Sequence, residues 1–237
     1  MNTEQHPTAD AFARLAVELH DSDGVGETVD AVVQFALQAL SCRYAGVVLN
    51  ERGRKPAIAA VTAPVICELY EWQLGAAEGP LMACLDSGVP VSVADIATDR
   101  HWAPEWVALA GSIGIRSVLH LPLTSADNTV GVLSFFSEQP DGFGPDDLAV
   151  GHILARHASI AVANARSEET MALAVDARKL VGQAMGILME RFDLDGDRAF
   201  DVLRRYSQDS NTKLRDVAQQ LIDTRKLPRT SGADPRQ

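Results

Sequence analysis

The chain has 237 residues, of which 46% are hydrophobic and 22% are charged, and its formal net charge at pH 7 is −11. These fractions are typical of folded globular proteins and exclude a largely disordered or fibrous chain. The first thirty residues contain acidic side chains and no unbroken apolar run, unlike a signal or transit peptide. Apolar runs elsewhere are far shorter than the roughly 20 residues of a membrane helix, so we expect a cytoplasmic protein.

The charge is divided unevenly along the chain. Residues 1–169 contain 9 Lys and Arg against 22 Asp and Glu, whereas residues 170–237 contain 12 against 10. The net charge is therefore −13 in the first part and +2 in the second. An acidic body with an Arg-rich tail is expected where only the tail approaches a polyanion such as a nucleic acid.

Two helices are predicted at the start of the chain, one at residues 8–20 within an N-terminal region 1–22 and one at about 28–40. In each helix apolar residues recur three and four positions apart, which places them on one face. Such a face has to pack against another layer of structure. We expect a sheet to provide that layer.

Five strands are predicted from short segments rich in Val, Ile, Leu and aromatic residues. They lie at residues 44–49, 57–62, 89–93, 117–123 and 130–136, with helical stretches near 64–74, 80–87 and 103–113 between them. The polar connections at 51–56 and 125–128 are short enough for hairpins. They favour an antiparallel sheet over a doubly wound parallel one.

One long helix is predicted over residues 145–177, an Ala-rich run that contains no Pro after its first residue. The carboxylates of Asp146 and Asp147 suit a helix N-terminus because they complement the macrodipole. An apolar spacing of four and three runs through Leu173, Ala177, Leu180, Ala184 and Ile187. A coiled coil would use this spacing, and so would a helix packed on its own domain, and both interpretations stay open.

The C-terminal segment divides into three short amphipathic helices, at about 178–191, at about 198–208 and between Thr212 and Pro228. Helices this short bury enough apolar surface only against one another, so we expect a three-helix bundle over residues 178–228. Residues 229–237 are polar and are expected to be disordered. The predicted fold class is α+β: an antiparallel sheet flanked by helices over residues 23–165, a long connecting helix over 145–177, and the bundle.

Three blocks of the C-terminal segment closely resemble the ANTAR family. They are AMGILMER at residues 184–191 within the run that starts at Arg178, AFDVLRRYS at 199–207, and KLRDVA at 213–218. Three separated blocks in the right order are far more specific than any single short motif. The resemblance implies a three-helix domain that binds paired hairpins in a nascent transcript and so prevents a terminator from forming.

Side chains off the apolar stripes of this domain are the expected contacts to RNA. Proteins bind RNA by placing Lys and Arg against phosphates and by stacking unpaired bases on aromatic or guanidinium planes. The candidate RNA-binding residues are Arg178, Lys179, Gln183, Arg191, Arg204, Arg205, Lys213 and Arg215. Tyr206 could stack on a base, although its position on an apolar stripe favours core packing. The same charges could also form an ordinary solvated helix face.

One position departs from the family pattern. Many ANTAR domains carry Lys between the positions of Ala184 and Gly186, where this chain carries Met185. The departure removes one expected phosphate contact. It puts the affinity or the register of RNA binding in question.

The body of the chain, from about Asp23 to Ala165, resembles the GAF domain, a small-molecule sensory fold built on a central antiparallel sheet. The similar segments are residues 78–80, 88–91 with Asp95, 114–118, 121–123 and 130–133. The resemblance implies a sensory domain for a small-molecule effector. Together the two resemblances imply a GAF and ANTAR domain-containing transcription antitermination regulator of the actinobacterial type.

Five residues of the GAF-like body are candidates for lining a ligand pocket, although they would also suit a plain apolar core. They are Met82, Cys84, Trp102, Trp106 and Phe135. The NKFDE-type signature of cyclic-nucleotide-binding relatives is absent, and no Cys has a tetrapyrrole-attachment context, so the effector and any cofactor stay unknown. His101, His120, His152 and His157 could ligate a haem, but isolated histidines on helices and strands are usually structural.

The sequence contains no recognisable catalytic or metal-binding pattern. Cys42, Cys67 and Cys84 belong to no CxxC or Cys/His arrangement and are expected to be buried reduced thiols. Residues 193–197 are similar to a calcium loop, but Arg204 stands where a bidentate Glu would be needed. No GxSxG, P-loop, GxGxxG or receiver-type phosphoacceptor motif occurs. We therefore expect a regulator and not an enzyme, with no catalytic residues and no metal.

The leading hypothesis is an antiterminator in which the GAF-like body changes how two RNA-binding tails are presented. Two hairpins call for two tails, so a homodimer joined through the long helix and the sensor is expected, with no membrane association. A DNA-binding transcription factor that uses the bundle as a helix-turn-helix is one alternative, although the last helix offers a modest base-reading face. A protein-interaction regulator that has lost RNA binding is another, and Met185 keeps it open.

Overall fold

The structure is a computed structural model, and it describes residues 9–22, 24–50, 55–126 and 128–226. The described residues form eight helices: α1 (Ala9–Asp21), α2 (Gly24–Ala39), α3 (Val65–Ala76), α4 (Pro80–Ser87), α5 (Pro104–Ile113), α6 (Pro145–Phe192), α7 (Gly196–Asp209) and α8 (Leu214–Thr224). They also form five strands: β1 (Tyr44–Leu49), β2 (Ala57–Val61), β3 (Val91–Val93), β4 (Ser117–Ser125) and β5 (Asn128–Ser137). The segment predicted to be disordered, 229–237, lies outside the described residues.

The chain divides into two compact units, Met1–Ser167 and Glu168–Gln237. We call the first the sheet unit and the second the bundle unit. The predicted α+β class is confirmed: a five-stranded antiparallel sheet, a long helix and a C-terminal helical region are all present. No helix within the described ranges is both long and apolar enough to cross a membrane.

The sheet has the strand order β2-β1-β5-β4-β3, and every neighbouring pair is antiparallel. Strand β4 continues to Ser125 and β5 begins at Asn128, so both strands reach closer to their connection than the sequence predicted. In the middle of the sheet Ser134 of β5 lies opposite His120 of β4 on one side and Gly46 of β1 on the other. These three residues therefore form a row across three strands, with their Cβ positions directed to the same face.

Each face of the sheet is covered by its own helices and buries its own apolar cluster. Helices α1, α2 and the first part of α6 cover one face, which buries Leu133 and Phe135 of β5. Helices α3, α4 and α5 cover the other face, which buries Val132 and Phe136 of the same strand. Successive side chains of a strand point to opposite faces, so one strand supplies both cores.

Helices α3 and α4 are joined by one buried side chain. The Oε1 atom of Gln73 accepts a hydrogen bond of 2.9 Å from the backbone N–H of Leu81, and its Nε2 donates one of 3.3 Å to the carbonyl of Leu69. Gly79 between the helices has φ +114°, and a Cβ there would collide with the Gln73 side chain. The turn thus needs a glycine, and it places α4 against the sheet.

Helix α6 differs from the sequence prediction. The sequence suggested a connecting helix over 145–177 followed by a separate bundle helix from Arg178, but a single helix runs from Pro145 to Phe192. No Pro follows Pro145 within it, and Gly182 and Gly186 lie in its interior without ending it. Glycine lowers helix propensity by only about 1 kcal/mol relative to Ala, which packing on neighbouring helices can outweigh.

The bundle unit buries one apolar cluster between the end of α6, α7 and α8. Its fully buried members are Ala184, Leu188, Ala199, Leu203, Val217, Ala218 and Leu221. Helix α7 begins where the side chain of Asp195 accepts a 2.8 Å hydrogen bond from the backbone N–H of Arg198, as an N-cap does. The apolar stripes seen in the sequence therefore meet in one core.

Candidate functional site

The arginines of α7 and α8 that were candidates for RNA contact carry ion pairs. Arg204 lies 2.8 Å from Asp201, Arg205 lies 3.7 Å from Asp209, and Arg215 lies 3.1 Å from Asp216. All three pairs are exposed, so each contributes little to stability. Each carboxylate nevertheless offsets part of the positive charge that an approaching phosphate would meet.

Three other cationic candidates lie free on the surface. Arg178, Lys179 and Lys213 are exposed, and no ion pair within the described residues involves them. Leu180 of α6 and Leu214 of α8 directly follow these cations in sequence, and both pack against the single apolar cluster of the bundle. The free cations thus border the same core from two helices.

Gln183 of α6 lines a groove, and Arg191 lies at the end of the same helix. A groove of about 560 Å³ between α6 and α8 is lined by Gln183, Gly186, Ile187, Glu190, Ile222 and Arg225. The Nη1 atom of Arg191 donates a 2.8 Å hydrogen bond to the carbonyl of Arg225, and its guanidinium lies 5.6 Å from the centre of the Phe192 ring. Arg191 therefore joins the ends of α6 and α8 in addition to presenting a charge.

The turn between α6 and α7 is acidic. Exposed carboxylates in the turn and on the helix ends beside it belong to Glu190, Asp193, Asp195, Asp197 and Asp201. The Arg198 side chain in the same region already pairs with Asp195 at 3.7 Å. A polyanion is repelled by such a cluster, so the acidic turn and the free cations divide the bundle surface into two electrostatically different parts.

Met185, the departure from the family pattern, is half-buried against the apolar cluster. Its Cε atom lies 3.9 Å from the position that a Cβ on Gly196 would occupy, at the start of α7. The thioether therefore fills space between two helices. A long cationic chain could follow the same path with its charged end in water.

Aromatic side chains of the bundle occupy two environments. Tyr206 is half-buried and packs against the cluster, in line with the core position that its stripe suggested. Phe192 and Phe200 are 55% and 37% exposed, and sequence reasoning did not name them as candidates. Both rings stand off the apolar stripes in the sequence, which predicts that they are exposed. Exposed aromatic rings beside cations can stack on unpaired bases.

Four of the five candidate pocket residues lie together in the sheet unit. Cys84 and Trp106 are buried between the sheet and helices α3–α5, and Met82 and Trp102 pack at the edge of the same cluster. Phe135 does not belong with them, which corrects the grouping made from sequence. It lies on the opposite face of the sheet, because side chains along β5 alternate between the two faces.

The apolar cluster between the sheet and α3–α5 also contains buried polar side chains. The Nδ1 atom of His120 and the hydroxyl of Ser134 lie 2.7 Å apart. Burial lowers the pKa of His120 to about 3, so the imidazole is neutral at physiological pH. Burial also raises the pKa of the Cys84 thiol to about 12, which leaves the thiol protonated and unreactive.

The four histidines that were candidate haem ligands are distributed over three parts of the chain. His101 precedes α5, His120 lies on β4, and His152 and His157 lie on α6. Within the described ranges no group of three or more His, Cys, Asp or Glu side chains has an arrangement that could hold a metal ion.

Two family models match the chain. The GAF domain model matches residues 22–163, more than half of the chain, and the ANTAR domain model matches residues 169–222. None of the curated protein sequences matches the chain.

Solved structures similar to the chain show the same fold at low sequence identity. The GAF domain of a phosphoenolpyruvate-protein phosphotransferase from Coxiella burnetii is 17% identical with a TM-score of 0.55, covering 68% of this chain and 95% of its own. The corresponding domain from Acinetobacter is 17% identical with a TM-score of 0.53, covering 68% and 96%. Free methionine-R-sulfoxide reductase from Neisseria meningitidis is 17% identical with a TM-score of 0.53, covering 71% and 99%.

Proposed function

Because the chain belongs to the GAF family and carries an ANTAR domain after it, we propose that it is a transcription antitermination regulator of the actinobacterial type. The ANTAR domain implies RNA-binding regulation, and the GAF domain is a sensory module. In this proposal the bundle unit binds paired hairpins in a nascent transcript, and an effector in the sheet unit modulates that binding.

The observation that carries the proposal is the set of free cations at Arg178, Lys179 and Lys213. Binding of a phosphate by a cation that already has a carboxylate partner requires that partner to be displaced, whereas a free cation loses only water and counterions. We therefore assign the first phosphate contacts to these three residues. The ion-paired Arg204, Arg205 and Arg215 support them from the neighbouring surface.

The acidic turn between α6 and α7 restricts where RNA can lie on the bundle unit. Carboxylates such as Asp193 and Asp197 repel phosphates, so the hairpin lies over the free cations and away from this turn.

We propose a regulatory and not a catalytic role for the sheet unit, although one of the similar folds belongs to a reductase. The Cys84 thiol, which is buried, and the Cys42 thiol, which is half-buried, support this, because desolvation raises the pKa of each to about 12 and suppresses the thiolate. We also propose a homodimer, so that two bundles bind two hairpins. Met171, Leu173 and Val175 support it, because these large apolar side chains are exposed on α6.

The proposal is tested by gel-shift binding of the full chain to two-hairpin leader RNAs and to duplex DNA across a salt series. An Arg178→Ala/Lys179→Ala variant should weaken hairpin binding and reduce the slope of log affinity against log salt by about 1–2. The matched control Arg198→Ala removes a cation from the acidic turn and should leave the slope unchanged. Equal or tighter binding to duplex DNA would contradict antitermination and favour a DNA-binding factor.

A further inference from the structure

The end of α6 and the start of α7 expose apolar side chains beside free carboxylates. We call this surface the turn face, and it consists of Met189, Phe192 and Phe200 with the carboxylates of Glu190, Asp193 and Asp197. We infer that the turn face docks a basic segment of a partner protein, in which Lys or Arg side chains surround an apolar anchor. This interaction goes beyond the proposed binding of RNA and uses a different part of the bundle surface.

The apolar side chains of the turn face follow the seam between α6 and α7. Met185, Met189 and Phe192 are four and three residues apart, which places them on one face of α6. The Cε atom of Met185 lies 3.9 Å from where a Cβ on Gly196 would stand, so this face of α6 meets the start of α7. Phe200 comes four residues after Gly196 and lies one turn further along the same side of α7.

The apolar side chains of this seam are open to solvent. Met189, Phe192 and Phe200 are 39%, 55% and 37% exposed, and none of them belongs to the buried cluster of the bundle unit. A single exposed apolar residue is ordinary, whereas a group of large ones rimmed by polar side chains marks an interaction surface. A partner that covers two aromatic rings and a thioether gains the free energy of removing them from water.

The charge of the turn face is opposite to that of the C-terminal segment as a whole. Residues 189–201 contain five acidic and two basic side chains, a net charge of −3, whereas residues 170–237 together carry +2. Within the described part of the chain, no ion pair involves Glu190, Asp193 or Asp197. All three carboxylates are exposed. They are therefore available to cations of a partner.

The two cations of this stretch do not neutralise those carboxylates. Arg198 lies 3.7 Å from Asp195, which is also the N-cap of α7. The Nη1 atom of Arg191 donates a 2.8 Å hydrogen bond to the carbonyl of Arg225, and its guanidinium lies 5.6 Å from the centre of the Phe192 ring. An approaching partner thus meets uncompensated negative charge directly beside apolar side chains.

This combination of charge and apolar surface selects a basic protein segment over other occupants. RNA and anionic lipid surfaces are negatively charged, and the free carboxylates repel them. A second copy docked two-fold through the same face would bring two acidic turns together, because such an interface places identical surfaces against each other. A basic segment avoids both conflicts, since its Lys or Arg side chains meet the carboxylates while its apolar side chains cover the rings.

The test measures binding of labelled synthetic peptides to the full chain by fluorescence anisotropy across a salt series. The first peptide is a short helix with a leucine face and a lysine face. In the second peptide glutamate replaces every lysine, and in the third serine replaces every leucine. The first peptide should bind in a saturable way and more weakly as salt rises. The other two should bind at least about tenfold more weakly.

Variants that remove apolar side chains show where the first peptide binds. Phe192→Ser/Phe200→Ser should weaken its binding about tenfold or more, because the rings no longer cover its leucines. Val17→Ser/Val89→Ser removes two exposed apolar side chains of the sheet unit and should leave the affinity unchanged. Thermal unfolding shows whether each variant is folded.

Charge variants test the same docking with both rings in place. Asp193→Asn/Asp197→Asn should weaken binding of the first peptide about three- to tenfold at low salt and reduce the salt dependence. Glu168→Gln/Asp176→Asn removes two exposed carboxylates from another part of α6 and should change the affinity less than about twofold. This comparison separates a local contact from the attraction of any acidic surface for a basic peptide.

Several outcomes would overturn the docking assignment. They are no saturable binding of the first peptide, equal binding of the glutamate peptide, or unchanged binding by both Phe192→Ser/Phe200→Ser and Asp193→Asn/Asp197→Asn. Weaker hairpin-RNA binding by the serine variant would instead make the turn face an RNA contact. A smaller native mass of that variant would make it an interface with a second copy. A chain that binds the first peptide but not hairpin RNA overturns the proposed antitermination alone.

Discussion

The sheet unit and the bundle unit place polar groups in opposite ways. The sheet unit buries an apolar cluster on each face of its sheet and encloses the neutral polar side chains of His120, Ser134 and Tyr70 in one of them. The bundle unit buries a single cluster of seven apolar residues and keeps its charged side chains exposed. A protected interior suits recognition of a small molecule, whereas an exposed charged surface suits recognition of a polyanion.

The largest expected effect is on the stability of the bundle unit, because its core is the smaller one. Leu203 is fully buried in the one cluster of the bundle, and Leu203→Ala should destabilise that unit by about 2–5 kcal/mol. With so small a core, we expect α7 and α8 to unfold while the sheet stays folded. Hydrogen exchange measured by mass spectrometry should show loss of protection in α7 and α8 and retained protection in β4 and β5. Met189→Ala, at an exposed position of the bundle unit, is the control. Simultaneous loss of protection in both units would contradict the independence of the two cores.

A second change addresses close packing in the sheet unit. A Cβ on Gly131 would lie 2.5 Å from the backbone oxygen of Val48 in the neighbouring strand, whereas one on Gly26 in α2 meets nothing within 4 Å. Gly131→Ala should therefore destabilise the protein by about 1–3 kcal/mol. Gly26→Ala should be neutral or stabilising by up to about 1 kcal/mol. Chemical denaturation of the two variants measures the difference. Equal effects would show that β1 and β5 can move apart to admit the Cβ without loss of stability.

A third prediction concerns the pH dependence of the sheet unit. Burial alone would raise the pKa of Asp95, but hydrogen bonds from Arg116 and from the Ala97 backbone lower it below its ordinary value. A lowered carboxyl pKa stabilises the fold above the unfolded-state pKa, and that contribution disappears as pH falls through the folded-state pKa. Asp95→Asn should thus lower the melting temperature at neutral pH, with the difference from wild type shrinking in acid. The exposed Asp86→Asn is the control, and a difference that grows in acid would contradict the assignment.

The smallest expected effect is at Met185 in the bundle unit. Met185→Lys can follow the thioether's path past Gly196 and extend its ammonium into water, so the free energy of unfolding should change by less than about 1 kcal/mol. If the new cation meets a phosphate, hairpin affinity rises and the salt slope steepens by about 1. Gel shifts across a salt series measure both quantities. An unchanged slope would place this position away from the RNA.

Much of the fold was predictable because local patterns agree with the final packing. Strand β1 begins and ends where its apolar run does, at Tyr44 and Leu49, and the stripes of the bundle helices supply its core. The continuity of α6 through Arg178 was missed, although the apolar spacing from Leu173 to Ile187 runs unbroken across that position. The ion pairs of Arg204 and Arg205 were also missed, yet their acids stand three and four residues away in sequence, which is the helical signal for such pairs.

The bundle unit and the sheet unit differ in how far the sequence alone determined their candidate sites. Uneven charge and three motif blocks in the last third of the chain indicate an RNA-binding tail, because net charge and helical spacing are local properties. Tertiary structure decided which cations are free, that Phe135 lies across the sheet from Trp106, and that Trp106 and Tyr70 pack in one apolar cluster. These depend on which strand faces and helices meet, since burial and hydrogen bonding are set by groups distant in sequence.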